Sequence, residues 1–163
     1  MKNLFLVAVV FFSFILSIEA QDISRNALGL RLGNNDGFGT EISYQRELGE
    51  YNRLEIDLGF RDHTNSDAFK LSGIYQWVWN IDGGFNWYAG VGAGLGNWSK
   101  KSGFVGNQDD GLFLNLDGNV GIEYNFGIPL LISLDFRPEF GIMGDYGNDT
   151  NIDLALSLRY LFN

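Results

Sequence analysis

Four charged or hydroxylated side chains recur at every second position late in the chain: Ser133, Asp135, Arg137 and Glu139. Similar alternate-position residues occur throughout it. Glu41, Glu55, Asp57, Asp117, Glu123 and Asp153 supply further carboxylates, and Arg31, Arg61, Lys70 and Arg159 supply cations. Acids and bases gathered on one surface could conduct ions, exchange protons with a bound substrate, or pair with one another in a network that satisfies a polar interior. Arg137 is central to the last reading. It is flanked at i±2 by Asp135 and Glu139, with Asp153 and Arg159 on the following segment and Asp117 and Glu123 on the preceding one. A second constellation, Asp62, His63, Ser66 and Asp67, combines the only histidine with a hydroxyl and two acids. Nucleophilic catalysis needs those types, but a lone histidine in one polar loop is expected to be a solvated surface residue. Asp109, Asp110, Asp145 and Asp149 could hold divalent cations shared with lipid phosphates, yet they lack metal-ligand spacing and read as solvated loop charges. No cofactor motif is present. Gly90, Gly92, Gly94 and Gly96 alternate without a following helix and form no phosphate loop.

What must position these side chains is a strand, because their period is two. From Leu112 to Phe126 the even positions run Leu, Leu, Leu, Gly, Val, Ile, Tyr, Phe, and the odd ones include Asn115, Asp117, Asn119 and Glu123. Such alternation over fifteen positions exceeds the roughly 9–11 residues of a strand crossing a bilayer at a tilt. Carboxylates on the polar face then require an interior away from lipid. The same pattern predicts eight strands: 27–32, 38–46, 53–61, 68–79, 85–99, 112–126, 130–140 and 151–162. Strand four is the least regular, since Ile74 and Val78 interrupt its polar face. With even-numbered strands running back toward the termini, Tyr44, Trp77, Trp79, Trp87, Tyr124, Phe126, Tyr160 and Phe162 gather at one level. Phe38, Phe60, Phe69 and Phe140 gather at the other. Two aromatic girdles mark a transmembrane barrel. A soluble barrel with its apolar face inward would have to fit eight rows of Leu, Ile and aromatic residues into an interior that side chains already fill. The expected fold is therefore all-β, an eight-stranded antiparallel up-and-down transmembrane β-barrel.

The chain begins with the positively charged Met1-Lys2-Asn3 and an apolar run from Leu4 to Ile18, whose end passes through Ser17-Ile18-Glu19-Ala20 to a small residue before Gln21. This reads as a secretory signal peptide at 1–20, cleaved before Gln21, leaving a single barrel domain over 21–163. There is no cysteine, so neither a disulfide framework nor a lipid-bearing cysteine is expected. A formal charge of −9 argues against nucleic acid as a partner.

Together, the signal, eight strands, girdles and aromatic-ended last strand resemble the small outer-membrane barrels of the OmpX and OmpA-transmembrane-domain type. The resemblance covers Gln21 to Asn163 and implies a Gram-negative outer membrane. It also implies outer-membrane lipid and lipopolysaccharide as surroundings, an outer-membrane protein complex as a possible assembly, and the barrel-assembly machinery as a partner during insertion. For that machinery, Leu156, Leu158, Tyr160 and Phe162 form the final strand it reads, although Asn163 follows the last aromatic. Three functions are expected in this order: a non-enzymatic barrel with a structural or interaction role, a small porin-like or ligand-binding barrel, and a lipid-modifying enzyme.

Overall fold

A computed structural model describes residues 23–34, 39–62, 66–100, 111–144 and 150–163. The expected signal peptide, Phe38, His63 and the acidic loop residues Asp109, Asp110, Asp145 and Asp149 lie outside these, as do the side chains of Arg61, Asp62, Ser66 and Lys100. Eight strands follow in order: β1 (Asn26–Leu32), β2 (Thr40–Gly49), β3 (Asn52–Asp62), β4 (Ser66–Asp82), β5 (Phe85–Lys100), β6 (Gly111–Asn125), β7 (Leu130–Met143) and β8 (Thr150–Phe162). Each pairs antiparallel with its sequence neighbours. β1 closes the barrel on β8 from Asn26↔Phe162 to Leu32↔Leu156, so the described strands form one sheet without a free side. In a bilayer this closure meets the backbone's need for hydrogen bonds that lipid cannot supply.

Several strands outrun their periodic stretch. β4 continues to Asp82 and β7 to Met143, because ladder pairing does not require apolar alternation where the strand leaves the hydrocarbon. At the top of β7 the register slips between Leu114 and Asn115 of β6, leaving Ile142 as the unpaired residue of a bulge on β7. A second irregularity sits lower on the same seam. Pairing passes from Asp117↔Glu139 to Val120↔Phe136, with no pairs at Gly118 and Asn119, because Pro138 brings no N–H to the ladder.

The wall sorts its side chains by parity. Leu28, Leu30, Ile42, Val91, Leu116, Val120, Leu134, Leu154, Leu156 and Leu158 point out and are exposed, while their polar neighbours point in. Turns on the terminal side are short, with two residues between β2 and β3, two between β4 and β5, and four between β6 and β7. Opposite connections run to ten residues, between β5 and β6. Outer-membrane barrels keep short turns in the periplasm and long loops outside, which orients this one. The aromatic residues at the periplasmic end touch one another. Trp79 stacks on Trp87 at 4.4 Å, Phe85 meets Tyr124 at 4.5 Å, Tyr124 meets Phe126 at 4.8 Å, and Tyr160 lies 6.4 Å from Phe162. At the outer end Phe60, Phe69 and Phe140 are exposed.

Candidate functional site: the charged lumen

The alternation that turns leucines to lipid turns the charged residues into a lumen narrow enough for side chains to cross it. Arg31, Glu41, Glu55, Asp57, Lys70, Asp117, Glu123, Asp135, Arg137, Glu139, Asp153 and Arg159 are all buried there. Arg31, on β1, donates from Nη1 to Glu41 of β2 (2.9 Å) and to Asp153 of β8 (2.6 Å). Its Nη2 donates to Asp135 of β7 (2.6 Å), so one guanidinium joins four strands. The backbone N–H of Asn34 donates to the other Asp153 oxygen, at 2.8 Å.

Arg137 corrects the expectation drawn from its neighbours in sequence. Its Nη2 donates to Glu55 (2.8 Å) and Asp57 (2.6 Å) on β3, and its Nη1 lies 3.6 Å from Glu41 on β2. Residues at i±2 on a strand project in parallel, roughly 6.6 Å apart, so a long side chain meets the opposite wall instead. Asp135 and Asp153 pair with Arg31, and Glu139 pairs with Lys70 of β4. Arg159 donates to Ser43 (3.0 and 2.8 Å), Ser133 (2.8 Å) and Glu55 (3.0 Å). Glu123 pairs with Arg53, a cation the sequence reading does not count. Arg53 shares the parity of Glu55 and Asp57, which is the signal that identifies it. It is 2% exposed, donates to Gln76 at 2.6 Å, and lies over the ring of Tyr88, 4.7 Å from its centroid.

Amides connect the ion pairs. Gln45 donates to Glu55 (2.6 Å), Gln76 to Asn119 (2.9 Å), Asn119 to Asp135 (3.3 Å), and Asn115 to Asp117. A continuous polar path therefore runs from Asn34 through Asp153, Arg31, Asp135, Asn119, Gln76 and Arg53 to Glu123, to which Asn86 donates at 3.1 Å. Among the described residues the buried carboxylates outnumber the buried cations eight to five.

Apolar groups occupy the rest. Ile74, Val78 and Tyr88 are fully enclosed in the lumen, and Ala68, Phe113 and Trp98 cluster toward its outer mouth. In the sequence Ile74 and Val78 interrupt a polar face, and Tyr88 precedes the glycine row without standing out as a lumen residue. Ile74 and Tyr88 stand against glycines, where a Cβ at Gly90 would come within 3.0 Å of the Ile74 methyl and one at Gly121 would collide with the Tyr88 ring, and Val78 pairs across the ladder with Tyr88 itself. At the periplasmic mouth a cavity of about 20 Å³ lies among Gln45, Arg53, Asn86, Glu123 and Leu131, room for a single water. Among the described residues no cluster of acids, histidines or cysteines could hold a metal. Chemically, the arrangement can hold charges fixed across the lumen. It presents no hydroxyl–imidazole pair among the described residues.

Neither a protein-family model nor a curated protein sequence matches the chain. Solved structures do. The N-terminal β-barrel domain of Pseudomonas aeruginosa OprF aligns with a TM-score of 0.67 at 12% identity, over 85% of this chain and 98% of that one. Neisserial surface protein A aligns with a TM-score of 0.59 at 12% identity, over 84% and 94%. Ail, the attachment invasion locus protein of Yersinia pestis, aligns with a TM-score of 0.57 at 18% identity, over 89% and 100%. The chain has the fold of these small eight-stranded outer-membrane barrels.

Proposed function

We propose that this chain is a non-enzymatic, integral outer-membrane barrel of Gram-negative type, exported by a cleaved signal peptide, with a structural or protein-interaction role. The observation that carries the reading is that Arg137, 0% exposed, reaches from β7 to carboxylates of the facing β3, while Arg31, also 0% exposed, gathers carboxylates of β2, β7 and β8 inside the lumen. A conduit needs mobile water along its length, whereas cross-lumen guanidiniums with carboxylates on both sides occupy it. The apolar cluster of Ala68, Phe113 and Trp98 adds to this at the outer mouth. Function then resides outside the lumen: in the belts that meet lipid and lipopolysaccharide, in surfaces offered to other outer-membrane proteins, and in β8, whose Leu156, Leu158, Tyr160 and Phe162 address the assembly machinery.

Planar-bilayer recording tests the reading. Purified wild-type protein, shown folded by a heat-dependent shift in gel mobility, is expected to give no large, steady single-channel currents. Steady currents whose ion selectivity changed in Arg137→Ala would instead establish the porin-like alternative.

A further inference from the structure

Among the described residues, the lipid-facing surface carries a polar cluster that its apolar surroundings do not call for. Asn26 has outward parity, like Leu28 and Leu30, yet it is only 7% exposed while those two are 47% and 48% exposed. It is covered by its register partner on β2 and that residue's neighbour. Asn26 pairs with Arg46 and Leu28 with Tyr44 across β1–β2, and the same two pair with Phe162 and Tyr160 across β1–β8. Two donors converge on the Asn26 side-chain oxygen, the Tyr44 hydroxyl at 2.7 Å and Arg46 Nη1 at 2.7 Å. The Asn26 amide nitrogen donates to the Phe162 carbonyl at 3.4 Å. Among the described residues Arg46 makes no ion pair and is exposed. Of the acids that follow it in sequence, Glu47 has inward parity at the strand end and Glu50 lies in the β2–β3 turn. Arg25, exposed just before β1, adds a second cation at this rim, where its carbonyl accepts from the Glu47 N–H at 3.0 Å.

The level of this cluster identifies what it meets. Tyr44, Tyr160 and Phe162 belong to the periplasmic girdle, where aromatic rings sit among lipid headgroups. A charged side chain on the lipid face is tolerated near the interface and costly deeper in. Ordinarily a long cationic side chain in this position extends freely into the headgroup layer. Here Asn26 holds one end of the guanidinium, leaving its remaining N–H groups fixed in direction. We propose that Arg46, positioned by Asn26 and Tyr44, is a binding site for the phosphate of an anionic phospholipid in the periplasmic leaflet, whose acyl chains lie along Leu28, Leu30 and Ile42. A fixed planar fork suits a phosphate better than a mobile ammonium does, because it can donate two parallel hydrogen bonds.

The experiment compares phospholipids retained by the full mature protein. The protein is equilibrated in detergent micelles with equal phosphatidylglycerol and phosphatidylcholine, and bound lipid is counted by native mass spectrometry. Wild type is expected to retain phosphatidylglycerol over phosphatidylcholine by about fivefold, the effect of one arginine at an anionic interface. Arg46→Gln, with folding verified by its heat-dependent gel shift, is expected to lose the preference. Equal retention of both lipids by wild type would overturn the proposal even if the variant failed to fold. An undiminished preference in folded Arg46→Gln would overturn it too. Excess inorganic phosphate distinguishes the sources of the anion: persistence of the bound lipid supports a headgroup site, and displacement would reassign Arg46 to free phosphate.

Discussion

The inward faces of β5 and β7 are built from opposite materials. β7 presents Leu131, Ser133, Asp135, Arg137 and Glu139, whereas β5 presents Tyr88, four glycines at positions 90, 92, 94 and 96, and Trp98. Both strands enclose one lumen. The charged row reaches across it, and the glycine row leaves room for what reaches from elsewhere. A Cβ at Gly94 would stand 2.6 Å from the Asn115 side-chain oxygen, and one at Gly96 would overlap the Phe113 ring. A row lacking side chains is therefore as much a part of the filled interior as a row of arginines. Sequence composition distinguishes the two strands, while packing density unites them.

The largest effect should come from the charged side. Arg137→Ala leaves Glu41, Glu55 and Asp57 without their shared cation, and breaking a buried pair in this way costs about 3–5 kcal/mol. Reversible urea unfolding in lipid vesicles measures it, and a loss below about 1 kcal/mol would mean that water already screens the network. Next comes the lipid face, which sets the parity on which the comparison depends. Leu156, halfway along β8 and 49% exposed, is expected to lose about 2–4 kcal/mol on replacement by arginine if it lies at mid-bilayer depth. The glycine row comes third. Gly96→Val overfills the space held by Phe113 and should cost about 1–3 kcal/mol. By contrast Gly73→Ala, on the outward face of β4 with no atom near the added methyl, should stay within about 0.5 kcal/mol. Equal losses at Gly96 and Gly73 would show that the β5 glycines serve backbone conformation rather than space.

How much of this is legible in the sequence follows from what period two encodes. It states which side of a strand a residue occupies, so Leu116 and Asp117 are assigned to lipid and lumen without a structure. It does not state which residues meet across a closed wall. Arg137 finds Glu55, 82 positions away, because barrel closure brings β3 opposite β7, and no local spacing records that. Arg53 was readable by parity but lay at the start of its strand, where periodic evidence is thinnest. Tyr88 was obscured by the glycines after it, although a large ring needs just such neighbours. The Asn26 cluster was beyond reach, since an asparagine before three alternating leucines looks like the last residue of a lead-in. Only the β1–β2 register places Arg46 and Tyr44 over it.

The interrupted ladder at Pro138 has a consequence in time rather than in space. Amide exchange from a closed sheet requires a seam to part, and seams with missing rungs part first. On one side the β7–β8 hairpin joins β1 through seven consecutive pairs, and on the other it joins β6 through a ladder that keeps its register but lacks its rungs at Gly118 and Asn119. Deuterium should therefore enter Gly118–Val120 before it enters Leu28–Leu30. The wall would breathe along β6–β7 at a rate set by one missing hydrogen, while the junction of first and last strands stays shut.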